Sequence, residues 1–107
     1  MNANYTSCIE ACQRCVVACE SCASECLAED NPMMNRCIEL DRSSADICSF
    51  AIREMARDSE FAGAVCGLCA QVCRACGEEC AKHEAKHCKD CAKACIACAE
   101  ACEAMKS

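Results

Sequence analysis

One spacing governs this chain. Cysteine recurs as CxxCxxxCxxCxxxC at Cys12, Cys15, Cys19, Cys22 and Cys26, again at Cys66, Cys69, Cys73, Cys76 and Cys80, and a third time at Cys88, Cys91, Cys95, Cys98 and Cys102. Cys8 extends the first copy by one step. Alternating steps of three and four are the period of a single helix face, and the intervening Ala, Glu, Lys and Arg are good helix formers. Each copy therefore reads as a helix with a stripe of sulfur. Between the first two copies, Met34 to Arg57 carries the same register more weakly, with Cys37, Asp41, Ser44, Cys48, Ile52 and Met55 on one face.

The punctuation separates four helices of about 20 to 25 residues. Asn31-Pro32 offers a cap followed by proline at the first helical position, and Asp58-Ser59 offers another cap before Phe61. The polar stretch Lys82 to His87 marks the third break without Gly or Pro. Four similar helices on short connections predict an all-α, antiparallel up-down-up-down four-helix bundle, one domain spanning 1–107. Ala11, Ala18, Ala70, Ala94 and Ala101 flank the stripes and allow close approach. A second apolar band, among it Ile9, Val16, Val65, Val72 and Ile96, completes the core or makes a subunit contact.

The composition says what fills the interior. Eighteen residues are Cys, whereas Leu, Ile, Val and Phe together number fourteen, fewer than an ordinary packed core requires. Cysteine is itself among the most buried residue types and behaves as a small hydrophobe, so the thiols must form most of the core. So many cysteines make sense either as disulfides in an oxidising compartment or as metal ligands in a reducing one. The opening run from Met1 has neither a basic nor an apolar signal region, and no apolar stretch approaches the roughly 18 residues of a membrane span. A cytoplasmic chain with reduced thiols is expected. The net charge of −6 and the aromatic set of Tyr5, Phe50 and Phe61 disfavour nucleic acid or an anionic membrane as partner.

Thiolates are soft ligands that select Cu(I), Zn(II) or iron–sulfur clusters. Helical neighbours four apart have Cβ atoms about 5 to 6 Å apart, and two collinear metal–sulfur bonds of about 2.3 Å span about 4.6 Å. A two-coordinate ion thus fits a CxxxC pair. Seven such pairs do not overlap: Cys8 with Cys12, Cys15 with Cys19, Cys22 with Cys26, Cys69 with Cys73, Cys76 with Cys80, Cys91 with Cys95, and Cys98 with Cys102. Cys37, Cys48, Cys66 and Cys88 remain to bridge between helices. Charge argues the same way, because buried thiolates must be neutralised. If each Cu(I) takes two sulfurs and each sulfur bridges two ions, the ratio is one to one and the core is neutral. Separate tetrahedral Zn(II) sites would each keep two negative charges.

The duller readings are weaker. Zinc knuckles and redox CxxC pairs sit at turns or helix starts, and these lie inside helical periods. The ferredoxin run ending in Pro is absent. A disulfide scaffold is opposed by stripes within one helix, and a purely structural thiol core by sixteen cysteines confined to three stripes.

In the expected bundle the first and third connections share an end. That end gathers Met33, Met34, His83 and His87 beside Cys26, Cys37, Cys80 and Cys88. Thioether and imidazole hold copper less tightly than thiolate, which suits a mouth through which ions pass inward. Met55, Phe61 and Met105 give the opposite end more bulk and mark it as closed. Asp41 falls on the inward face of the second helix, as a buried neighbour of the metal or, after a small rotation, at the surface.

With three helices of repeated CxxxC pairs, a Cys-poor second helix and a His-containing third connection, the chain resembles the cytosolic branch of the bacterial copper storage proteins over nearly its whole length. The resemblance implies a homotetramer of bundles, each binding many Cu(I) ions down its core with the mouth at the His and Met end. It implies storage and no catalysis. The alternatives are a zinc or iron–sulfur protein, or a chaperone carrying one or two copper ions. Since structural metals often supply folding energy, partial order before loading is expected.

Overall fold

The computed structural model describes residues 3–106; Met1, Asn2 and Ser107, the ends of the expected domain, lie outside the described residues. The periodic segments fold as α1 (Ala3–Glu29), α2 (Asn35–Ala56), α3 (Ala62–Ala81) and α4 (Lys86–Met105), with a single 3-10 turn at Pro32–Met34 leading into α2. Helices adjacent in sequence pack side by side, and α4 closes the ring against α1. The result is the antiparallel four-helix bundle, 42 Å long and 17 Å across. Its length is that of α1, since 27 residues rising 1.5 Å each reach about 40 Å.

The ends of the helices follow from their sequences. Asp30 takes φ 51° after α1 and Asp58 takes φ 52° after α2, the left-handed conformation that Asp tolerates better than most side chains. Asn31 Oδ1 then accepts from the Met33 N–H at 3.1 Å, so it caps the 3-10 turn rather than α2 itself. Ser59 Oγ accepts from the Phe61 N–H and donates to Glu54 Oε1, both at 3.0 Å, tying the second connection to α2. The third connection is shorter than the polar stretch suggested. Lys86 and His87 are already in α4, and Lys89 Nζ donates to the final α3 carbonyl, Ala81, at 2.8 Å.

Every helix turns its stripe inward. On α2 the buried face is Cys37, Asp41, Ser44, Cys48, Ala51 and Met55. Ala51 holds the place expected of Ile52, because the step after Cys48 is three rather than four; Ile52 is only half-buried beside it. Ala11 and Ala70 are buried, and Ile9, Val16 and Val65 pack half-buried around the thiols. At the end opposite the histidines, Met55 is fully buried, while Phe61 stands 59 % exposed and does not plug the core.

Candidate metal centre

All eighteen cysteines are free thiols, and none is more than 2 % exposed. Their sulfurs touch in sequence along the bundle. From the end where α1 begins and α4 finishes, Cys8 meets Cys102 at 3.6 Å, Cys102 meets Cys12 at 3.7 Å, Cys12 meets Cys98 at 3.6 Å and Cys98 meets Cys48 at 3.6 Å. The path continues through Cys73, Cys15 and Cys95 to Cys19 and Cys91, with steps of 3.4 to 3.9 Å. Beyond Asp41, Cys80 meets Cys37 at 3.3 Å, Cys37 meets Cys22 at 4.0 Å, and Cys26 and Cys88 end the column 3.9 Å apart.

Five of the seven CxxxC pairs lie 3.8 to 4.0 Å apart: Cys15 with Cys19, Cys22 with Cys26, Cys69 with Cys73, Cys91 with Cys95, and Cys98 with Cys102. Cys8 turns instead to Cys102, and Cys76 donates to Asp41 Oδ1 at 3.2 Å. Of the four thiols assigned between helices, Cys37, Cys48 and Cys88 reach across to α3, to α3 and α4, and to α1 respectively. The neighbouring Cys102 thiol, chiefly, pushes the buried Cys66 up to about 12. Diagonal helices meet through sulfur on the axis, as Cys15 with Cys73 at 3.9 Å and Cys48 with Cys98.

These distances suit soft-ion chemistry with shared ligands. With metal–sulfur bonds of about 2.3 Å, a trigonal site needs sulfurs about 4.0 Å apart and a linear one about 4.6 Å, so small sulfur displacements admit either. Four-sulfur sets also occur, including Cys12, Cys48, Cys69 and Cys98, and Cys15, Cys48, Cys73 and Cys98. These two sets share Cys48 and Cys98. They cannot be two separate tetrahedral sites with four ligands each, so thiolates must bridge, and bridging between monovalent ions uses every sulfur without accumulating charge. The thiols also tune one another: a hydrogen bond from Cys37 brings Cys22 down to about 6, while burial and then the charge on Cys22 push Cys88 up to about 12.

Two oxygens interrupt the sulfur. Ser44 Oγ lies 3.2 Å from Cys73 and 3.5 Å from Cys15. Asp41 is fully buried, settling the choice between inward and outward, and accepts from Cys76 and Cys91 at 3.2 Å and from Cys80 at 3.6 Å. Burial, then the charge of Cys80, pushes its carboxyl up to about 9. With Cys22, Cys80 and Cys91 it forms a further candidate ligand set.

The mouth residues differ from one another. Met34 is 4 % exposed and joins the core, whereas Met33 is 76 % exposed. His83 Nε2 is 3.0 Å from Glu79 Oε2. His87 lies between two carboxylates of α1, with Nδ1 3.2 Å from Glu25 and Nε2 2.7 Å from Glu29, the latter close but out of line for a hydrogen bond. Among the described residues neither imidazole hydrogen-bonds to a thiol. Glu79, Glu25 and Glu29 lie off the cysteine stripes and are not among the expected site residues. Their signal was the four-residue step from Glu79 to His83, and from Glu25 to Glu29 on the same end of α1.

The copper storage protein family (Csp) matches residues 1–107. The Cu(I)-bound copper storage protein BsCsp3 is 48 % identical, with a TM-score of 0.93 over 97 % of this chain and 99 % of that one. The apo copper storage protein 3 of Bacillus subtilis is 49 % identical, with a TM-score of 0.87 over 94 % and 96 %. A cytosolic copper storage protein of Streptomyces lividans carrying five coppers is 38 % identical, with a TM-score of 0.88 over 95 % and 91 %. The cysteine-rich protein YhjQ of Bacillus subtilis (strain 168) is 50 % identical over 67 residues, 62 % of either chain, so the match spans under two thirds of that relative. A full-length family match on a four-helix bundle with a sulfur-filled axis makes this chain a member of the copper storage protein family.

Proposed function

We propose that the protein sequesters Cu(I) in bulk, holding many ions along the bundle axis through bridging thiolates. The observation that carries this reading is the sharing of sulfurs between adjacent candidate sites, Cys48 and Cys98 above all, which fits a continuous cluster and not a few separate centres. Storage requires no reaction, and we assign no catalytic residue. All eighteen cysteines serve as ligands, giving about one Cu(I) per thiol with sulfur softness as the basis. His83, His87, Met33 and Met34 form the mouth, with Met34 lining it from inside.

The same reading takes the chain 1–107 as one domain working in the cytosol, in keeping with the Streptomyces relative described as cytosolic. It also takes the assembly as a homotetramer. Val17, Leu27, Phe50 and Leu68 are 41 to 70 % exposed on the outer helix faces and supply apolar surface for subunit contacts. Sedimentation should give about four times the chain mass of 11.5 kDa.

Anaerobic titration of the reduced protein with Cu(I) against a competing chelator tests the central claim. Saturation near eighteen ions per chain supports storage. Saturation at one or two would indicate a chaperone, and preference for Zn(II) at one ion per four thiols would indicate a zinc protein.

A further inference from the structure

The two mouth histidines are held in opposite ways. His87 has a carboxylate beside each ring nitrogen, Glu25 at Nδ1 and Glu29 at Nε2, so neither nitrogen stands clear. His83 engages only Nε2, which lies 3.0 Å from Glu79 Oε2. A carboxylate has no proton to give, so Nε2 must carry the hydrogen, and in the neutral imidazole Nδ1 then keeps the lone pair that a metal requires. The Glu79 side chain is only 10 % exposed, and its other oxygen is 3.5 Å from Arg36 Nε and 3.4 Å from Lys82 Nζ. It is thus a fixed acceptor rather than a waving surface group. His83 follows Cys80 by one turn, and its N–H bonds to the Cys80 carbonyl at 3.1 Å.

We infer that Glu79 is a positioning residue for copper capture: it fixes the His83 tautomer and ring so that Nδ1 receives incoming Cu(I) and passes it to the Cys80 and Cys37 thiols. This rests on the reading of the chain as a copper store filled from the His end. The arrangement is that of a metal-binding histidine whose second nitrogen donates to a carboxylate, which orients the ring and raises the basicity of the ligating nitrogen. His87, by contrast, clasps α4 to α1.

Nitrogen NMR of His83 in the copper-free protein is the first test, and it needs no variant. A dominant Nε2–H tautomer is expected; a dominant Nδ1–H tautomer overturns the proposal. The second test is the fast phase of Cu(I) uptake from a bathocuproine disulfonate complex by stopped flow. Glu79→Ala should slow it about tenfold, the lower range for loss of a carboxylate behind a ligating histidine, and Glu79→Gln, which retains an acceptor oxygen, should recover most of the rate. In a His83→Ala background, Glu79→Ala should add nothing. An equal slowing in both backgrounds would show that Glu79 acts only through the fold and would overturn the assignment. The saturating copper count of the unsubstituted chain tests storage separately, so the two ideas can fail independently.

Discussion

Asp41 carries the clearest pH dependence at the level of single residues. Its carboxyl rises from an ordinary value near 4 to about 9 in the folded protein, chiefly through burial, so the folded state binds a proton that the unfolded chain releases. Stability therefore falls as pH rises through the interval between those values, and is greatest at its acid end. Asp41→Asn removes this titration while keeping an acceptor for the Cys76 and Cys91 thiols. Thermal melts of copper-free protein between pH 4.5 and 7.5 should show a steeper decline for the native chain than for the variant. Parallel curves would contradict the assignment. The two methionines at the mouth separate as sharply: Met34→Ala should cost about 2 to 4 kcal/mol as a buried truncation, and Met33→Ala less than about 0.5 kcal/mol as an exposed one. Urea denaturation of both variants measures the difference.

Among the elements, α3 shows how the close approach of α4 constrains backbone chemistry. A Cβ on Gly77 would sit 2.7 Å from Ile96 Cδ1, 2.9 Å from its Cγ1 and 3.3 Å from Cys95 Cβ, whereas one on Gly67 would meet only Lys106 Cβ at an ordinary 3.4 Å. Both glycines forgo about 1 kcal/mol of helix propensity relative to alanine. Gly67→Ala should recover part of that and raise the melting temperature by several degrees. Gly77→Ala should lower it, since overpacking typically costs about 1 to 3 kcal/mol. Calorimetry of the pair decides; equal gains would mean that α3 and α4 have slack between them. The helices themselves were legible because a thiol step of three and four is the helix period itself. The first turn of α4 was not, since Lys86 and His87 carry no apolar period and enter the helix through the Ala85 carbonyl, which accepts from the Cys88 and Lys89 N–H groups at 3.1 Å.

On the scale of the molecule, the core is a thiol column with little conventional apolar bulk, and this bears on folding before copper arrives. By analogy with the apo protein of Bacillus subtilis, which shares the fold, a bundle formed ahead of loading is predicted here, against the partial order expected from metal-coupled folding. Circular dichroism of the copper-free chain should show close to full helix content, and Cu(I) should then raise the melting temperature, because a ligand bound only by the folded state stabilises it. A large gain of helix on loading would restore the idea of coupled folding.

What the amino-acid order determined alone was everything expressed along one helix: four helices, a sulfur face on each, the weaker face of α2 and soft-metal chemistry. Those follow from spacing and composition, which are properties of a segment by itself. Only the tertiary structure decided which sulfurs meet, because contact across the axis depends on helix rotation and stagger that no single stripe encodes. Cys8 thus pairs with Cys102 rather than Cys12, Asp41 stands in the path between Cys91 and Cys80, and the histidines face Glu79, Glu25 and Glu29. The proposed capture at the mouth turns on the Glu79 contact, which arises where helix ends and connections converge and sequence periodicity has already stopped.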